Sequence, residues 1–502
     1  MPGDEGVPAV DHRRRRRRVA IVGAFLVGVV LLLWYEAGQT PHRVCGDAWE
    51  YWYQAESLHR HGSPELWAED VAAVNDEAKR LELEKPPPDP YAYMTAPDGQ
   101  MFSMHFWTYG LSTVPAKMYL RQVGGCELTA PELTNAAWFL LALTVTVFGS
   151  SAPLAQRLAL ATLAGLGPVL WYLPWQGAEV FSWALGLIAV VAYRDQRYAV
   201  AGWAVGLAAT QNPPLAFLGA AAVLGAAWDR RWRSAALATL GTALVFVPFA
   251  FYQYHFGKPN LISGGEEYVG VRNFSLVRTW GQFTDFNHGL LPYAPVLVIG
   301  MVAGAIRLAY TRNVRGLILL GGAVGVALSV QVAHNWNSAD YGLQRYLVWI
   351  LPLAAGVTVE GLAGTRRALV RLAAVAALIH GILLFAHPRL DTFKDGYLSH
   401  TPLSNWMLTN YPRAYWIEPE VFIERTRHRD GWPYFGADYP IVHVAPDGTV
   451  TKLLVDAAGV ERIEKRFEVD PGYLLELRER TAGESGPFYA HPPAGAVRSR
   501  ER

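Results

Sequence analysis

The chain has 502 residues, 52% of them hydrophobic and only 17% charged, with a net charge of +1. That balance is too apolar for an ordinary soluble enzyme. With no Lys/Arg patch interleaved with aromatics, it also excludes a nucleic-acid partner. No Walker loop, dinucleotide fingerprint, His-Glu-x-x-His or cysteine cluster occurs, so soluble sites of those kinds are excluded as well.

Six consecutive arginines, Arg13 to Arg18, precede the apolar stretch Val19 to Tyr35. A basic block of this kind stays cytoplasmic, which predicts that the chain emerges outside near Glu36. No small-residue cleavage site follows, so the stretch reads as a retained signal anchor. A polar outer loop, 36–131, comes next, with a helix-like stretch over 64–84. Apolar runs of spanning length follow near 134–149, 158–173, 178–193, 198–211, 213–227, 235–252, 290–308, 315–332, 345–362 and 368–386. With the first, they predict about eleven transmembrane helices. The pair flanking Asn212-Pro213-Pro214 reads equally as one kinked helix.

The short connections carrying Arg157, Arg194 and Arg197, Arg230 to Arg233, Arg312 and Arg315, and Arg366 to Arg371 then all fall inside, as the positive-inside rule requires. Counting 106–120 as a further span would invert every one of them. That stretch, interrupted by Pro115 and Lys117, is therefore expected to lie in the membrane interface as part of the outer loop. Loops 253–289 and 333–344 are outer as well. The tail from His387 onward loses its apolar runs. Residues 439–445 and 449–455 read as a β-hairpin across Pro446-Asp447-Gly448, and 459–469 as a further strand. The polar end beyond 482 reads as disordered.

These boundaries give a basic cytoplasmic tail (1–18), a transmembrane domain (19–386), an extracytoplasmic C-terminal domain (387–481) and a disordered end (482–502). The fold class is an all-α polytopic membrane bundle with interfacial helices in its first outer loop. A small α/β or β-rich extracytoplasmic domain completes it. The expected location is the plasma (inner) membrane. Cys45 and Cys126 both fall outside on this topology; a disulfide between them and two free thiols are equally open.

Candidate chemistry collects on the outer side. Asp47, just beyond the first helix, reads both as the N-cap of a helix beginning at Ala48 and as a carboxylate able to accept a proton. Glu50 lies one turn on. His105 enters the interfacial helix at headgroup depth. Glu179 opens a helix from outside, where an acid suits the helix dipole and is also a site candidate. Arg345, beside Tyr346, is suited to hold a phosphate through its planar fork of donors. Lys258, Arg272 and Arg278 are further outer cations, for which an anionic lipid headgroup supplies a reason.

The ordered set Gly46-Asp47-Ala48-Trp49-Glu50-Tyr51, Asp98-Gly99 through His105, Glu179, His288-Gly289-Leu290-Leu291 with Tyr293-Ala294-Pro295, and Gln344-Arg345-Tyr346-Leu347 resembles the integral-membrane glycosyltransferases of the GT-C superfamily. The nearer relatives are the protein O-mannosyltransferases and lipid A aminoarabinose transferases. The resemblance implies a GT-C-like bundle that transfers a sugar from a polyprenyl-phosphate carrier to an extracytoplasmic acceptor hydroxyl on protein, glycan or lipid. Asp47 would be the general base, and inversion is expected. Glu50, His105, Glu179, Arg345, Tyr346, His288 and Lys258 would bind the donor. Two departures from the family stand out. A single acid replaces the adjacent pair of many relatives, and Thr210-Gln211-Asn212 stands where many carry an arginine. Some relatives use a divalent metal; with no tight carboxylate cluster in the sequence, metal independence is the favoured expectation, a divalent metal stays an open alternative, and the lipid-linked sugar is a substrate, not a cofactor. A transporter or flippase of a lipid-linked saccharide, and a non-catalytic subunit that retains the fold, are the rival readings.

Overall fold

The computed structural model describes residues 44, 46–83, 92–262, 270, 273–333, 335–336, 342–386, 396–430, 438–483 and 486–500. The arginine block, the anticipated first helix at 19–35, Cys45 and Arg272 lie outside the described residues. Contacts divide the chain into two units. The first comprises Met1–Gly264, Gly300–Val326 and Trp349–Ala377, and the second comprises Gly265–Ile299, Ala327–Val348 and Leu378–Arg502.

In chain order the first stretch carries α1 (Ala48–His61), α2 (Ala68–Arg80), the hairpin β1 (Tyr93–Thr95) and β2 (Met101–Ser103), and α3 (Thr108–Val123). Then come α4 (Ala130–Thr144), α5 (Leu154–Gly165), α6 (Glu179–Arg194), α7 (Tyr198–Ala209), α8 (Ala216–Trp228), α9 (Trp232–Thr242) and α10 (Phe246–Phe256). They are followed by α11 (Leu276–Thr284), the single turn α12 (Leu290–Tyr293), α13 (Pro295–Tyr310), α14 (Val314–Val330), α15 (Ile350–Gly361) and α16 (Arg366–Ala386). The last stretch holds α17 (Pro402–Asn410), α18 (Pro419–Arg427), β3 (Ile441–Val444), β4 (Val450–Val455), α19 (Ala457–Arg466), β5 (Phe467–Val469), α20 (Pro471–Thr481), β6 (Phe488–Ala490) and β7 (Val497–Ser499).

Among the described residues, three helical runs are long and apolar enough to cross a membrane: Glu127–Gly149, Trp232–Phe256 and Arg366–Ala386. Tyr198–Ala209, Pro213–Trp228, Pro295–Tyr310 and Val314–Val330 are shorter apolar helices. At Asn212-Pro213-Pro214 the helix stops at Ala209 and restarts through a 3-10 turn, Pro213–Leu215. The prolines lack the donors that would continue the ladder. In the first unit α6 is the central helix, with Val180, Phe181, Trp183, Ala184 and Leu187 all fully buried. Beside it α7 and α9 meet backbone to backbone. A methyl on Gly206 would lie 1.8 Å from the Gly241 carbonyl oxygen, so only glycine permits that approach.

The stretch 106–120 is helical, as the sequence predicts, and its lysine has an internal explanation. Lys117 is buried, with Nζ 2.8 Å from Glu56 of α1 and 2.9 Å from Glu127. Arg121 bonds Glu127 through Nε at 2.7 Å, and Arg60 pairs with Glu56 from one turn away. The network clamps α3 against α1.

In the second unit the expected hairpin is present: β3 and β4 pair antiparallel, with Ile441 opposite Leu454 and Val442 opposite Leu453. The order β3-β4-β6 makes a three-stranded sheet. Two expectations are corrected. Residues 459–469 are mostly helix, because the Asp456 side chain caps the Gly459 N–H at 2.6 Å and Val460 and Ile463 bury at helical spacing. Only Phe467–Val469 is strand. The end beyond 482 is not structureless: β6 joins β4, and β7 pairs with β5. Arg278 is also reassigned. It is buried, stacked 4.3 Å over Trp336, 3.1 Å from Glu418, and donates to the Gln331 carbonyl at 2.8 Å. Its reason for being there is internal packing.

Replacing Lys117 with methionine leaves Glu56 buried without its main counter-charge, and is expected to cost about 3–5 kcal/mol. An unchanged melting temperature of the purified protein in detergent would count against the clamp. Burial raises the Glu56 carboxyl, but Lys117 and Arg60 outweigh it and hold the group below its ordinary value. A depressed folded-state value stabilises above the unfolded pKa of about 4.3 and is lost as pH falls below it. Melting temperature should therefore drop on acidification from about pH 5, and drop less in Glu56→Gln.

Candidate functional site

The site is built from two short segments held together by one charged pair. Gly46 has φ +49°, a left-handed turn that starts α1, and Asp47 takes the N-cap position. The Asp47 side chain makes no capping hydrogen bond, so the cap role open in the sequence is positional only. One turn on, Glu50 is fully buried. Its Oε1 accepts the His105 backbone N–H at 3.0 Å, and its Oε2 lies 2.6 Å from His105 Nδ1. The other ring nitrogen, Nε2, faces Asp47 Oδ2 at 3.9 Å. The Asp47 side chain keeps 16% of its surface exposed and that of His105 27%, so both reach the rim of the site.

Each part of this geometry has a local cause. Asp98-Gly99 forms the β1–β2 turn, with Gly99 at φ +90° and Gln100 N donating to Asp98 Oδ1 at 3.1 Å. The hairpin delivers His105 beside α1. The His105 carbonyl then accepts from Gln54 Nε2 at 3.2 Å and from the Tyr252 hydroxyl at 2.8 Å. Trp175 packs on Gly46 so closely that a methyl there would lie 2.9 Å from the indole.

Burial raises the Glu50 carboxyl above its ordinary value; His105 opposes the rise, and Asp47 adds to it. With Glu50 bonded at Nδ1, an imidazole whose Nδ1 carries the proton presents Nε2 as a lone pair toward Asp47. This is the second-sphere arrangement that orients histidine ligands in metal sites. One atom each of Asp47, Glu50 and His105 lie within 4.8 Å of one another. Two donors at about 2.0–2.2 Å from an ion can bracket a 3.9 Å gap. Asp47 Oδ2 and His105 Nε2 therefore suit a divalent ion, with Glu50 as the orienting acid because both its oxygens are engaged on His105. A second group, His61, Glu69 and Asp70, owes its place to a cap: Asp70 Oδ2 accepts the Trp67 N–H at 3.1 Å.

Of the sequence candidates, the structure brings Asp47, Glu50 and His105 together. Glu179 begins α6 in the same unit, a few residues beyond the Trp175 that covers Gly46, and is buried. Lys258 is exposed in the turn after α10. In the second unit the Gln344 N–H donates to the His288 carbonyl at 2.9 Å, so those two segments are adjacent. Arg345 is buried and donates to the Tyr346 hydroxyl at 3.2 Å, its guanidinium 5.1 Å from that ring. The choice between a disulfide and two free thiols rests on Cys45, which lies outside the described residues; Cys126 is a buried thiol that burial pushes up to about 11.

The sequence places Tyr51 within a motif and Gln211 at a departure from the family pattern, and gives neither a role at the site. The Gln211 side chain accepts the Tyr109 N–H at 2.8 Å and donates to the Tyr51 hydroxyl at 3.3 Å. Tyr51 lies edge-on to Tyr109, 4.9 Å between centroids, and 6.4 Å from the His105 ring. The signal available was Gln211 itself, a polar residue between two apolar helices.

No protein-family model matches this sequence, and no curated protein matches it. Among solved structures, the chain is similar to the Archaeoglobus fulgidus oligosaccharyltransferase in its complex with Zn and sulfate. The identity is 15% and the TM-score 0.43, over 77% of this chain and 55% of that one. The chain thus spans about half the length of that protein.

Substituting Gly46 with alanine combines a left-handed backbone with a clash against the indole, and should cost about 1–3 kcal/mol. Gly46→Ala with Trp175→Leu should recover part of that loss in a thermal melt. A double variant no more stable than the single one would remove the close-packing explanation.

Proposed function

We propose that the chain is a membrane glycosyltransferase of the GT-C kind. It transfers a sugar from a polyprenyl-phosphate donor to an acceptor hydroxyl on the extracytoplasmic side. The observation that carries this reading is the rim-exposed Asp47 carboxylate facing a histidine locked by a buried acid. An ordinary Asp, with pKa ~3.9, is too weak to deprotonate an alcohol outright. It can take the proton while the new bond forms, worth about 10²–10⁴ in rate.

The step is a single displacement. The acceptor oxygen bonds the anomeric carbon as its proton passes to Asp47, and the carbon–oxygen bond to phosphate breaks with its electron pair leaving on phosphate. One displacement inverts the anomeric centre. His105, fixed by Glu50, holds Asp47's surroundings in place. On the sequence pattern, Arg345 is the residue assigned to the phosphate. A divalent ion, where bound, would be held by Asp47 and His105 and would supply Lewis acidity.

A lipid-linked donor also needs a place for its isoprenoid. A groove of about 340 Å³ runs between α3 and α4, walled by Pro115, Ala116 and Tyr119 on one side and Leu133 and Trp138 on the other. It begins at Ser112, about 6 Å along α3 from the helix start, and Thr108 at that start is three residues beyond His105. This supports an apolar tail in the groove with its headgroup toward His105.

The test is incubation of membranes containing the full chain with a panel of polyprenyl-phosphate sugars, following donor loss. Asp47→Asn should lower the rate by about 10²–10⁴ while the melting temperature stays near the parent's. Full activity in that variant would transfer the base role elsewhere, and no consumption of any donor would overturn the enzyme reading.

A further inference from the structure

The second unit carries a cleft that the proposed reaction does not use. It encloses about 200 Å³, smaller than the ~300–1,000 Å³ of pockets for drug-sized ligands, and so suits one compact unit. Arg413, from the segment after α17, and Arg480, from the last turn of α20, supply two guanidinium groups. Glu476, one turn before Arg480, supplies the single carboxylate, so the lining carries a net charge of one positive unit. Leu477 and Ala490 form the apolar floor.

Two further polar groups line the cleft. Tyr473 is 6% exposed, and its hydroxyl is buried with no hydrogen-bond partner among the described residues. A buried hydroxyl left unsatisfied costs about 1–3 kcal/mol, so its retention at a cleft wall points to a partner that arrives from outside. His491, beside β6, has a buried Nε2 that likewise lacks a partner among the described residues. Burial first, then Lys452 and the two arginines, push His491 down to about 4, so the ring is neutral at pH 7. Arg480 is pre-positioned by stacking 4.4 Å over the Phe488 ring. Planar guanidinium groups match the oxygens of carboxylate and phosphate better than any other side chain.

We propose that this cleft is a binding site for a small oxyanion on a compact polar body: a single carboxylate or phosphate-bearing unit, such as an acidic monosaccharide. Arg413 and Arg480 take the anionic oxygens, the Tyr473 hydroxyl donates to the same group, and the neutral His491 Nε2 accepts from a ligand hydroxyl. The cleft is independent of the Asp47 chemistry, and its failure or success leaves the transferase reading untouched.

The full chain, purified in detergent, is titrated at pH 7 with glucuronate, glucose 6-phosphate and glucose, and binding is read by ligand-observed saturation-transfer NMR. At least one anion should bind saturably below about 10 mM, and glucose at least tenfold more weakly. The preferred anion identifies the group as carboxylate or phosphate. Arg480→Gln and Arg413→Gln should each weaken binding about tenfold. Tyr473→Phe, which keeps the ring in the hydrophobic core and removes only the hydroxyl, should weaken it several-fold. The site is overturned if neither anion binds, if glucose binds as tightly as the anions, or if the Tyr473→Phe variant and both arginine variants bind like the parent.

Discussion

The Glu50–His105 pair is the contact on which the first unit's candidate site depends. It joins a helix to a hairpin far along the chain through two hydrogen bonds to one carboxylate, one from a ring and one from the backbone. Burying an acid completely is costly unless its lone pairs are used, and here both oxygens are used. The pair sets the direction of the imidazole, and through it the environment of Asp47. A side chain at the rim of a loop would otherwise sample many orientations. A positioned carboxylate needs a rigid neighbour, and the burial of Glu50 supplies it.

The same logic recurs wherever charge enters the apolar interior. Lys117 survives in the middle of an apolar helix because two carboxylates meet it. Arg278 is stacked and ion-paired in the second unit, and Lys452 is buried against the Pro412 carbonyl at 3.1 Å and the Tyr489 ring at 4.5 Å. Removing one partner from such a group leaves an uncompensated charge, which is why these contacts tie elements together strongly. The helix α3 is a case in point. Hydropathy ranks it near a membrane span, and its ionic seam to α1 accounts for its place in the first unit.

The apolar periodicity made much of the helical core legible. The runs around 134–149, 178–193, 235–252 and 368–386 all fall on helices because long apolar segments have few other ways to satisfy their backbone. Asp47, Glu50 and His105 were readable as single residues, each with a plain alternative role. Their meeting was not, because it depends on a hairpin whose turn is set by Gly99 and on two distant donors, Gln54 and Tyr252, that hold the His105 carbonyl. Gln211 was visible as a polar interruption, yet its two partners lie in segments more than a hundred residues away. In the second unit, the helix over 457–466 was misread because alternating and helical spacing coincide over so short a run. The capping acid Asp456 was the deciding signal. The strands β6 and β7 are three residues each, too short for any local pattern, and exist through their pairing.

The packing of Trp175 on Gly46 bears on how such chains diverge. The indole fills the space that a side chain at position 46 would need, and the left-handed turn there already disfavours other residues. Drift at either position alone is therefore penalised, while a smaller residue at 175 releases the constraint on 46. Across an alignment of relatives the two columns should covary, and that statistical coupling would mark which sequences keep this entry into the helix and which have rebuilt it.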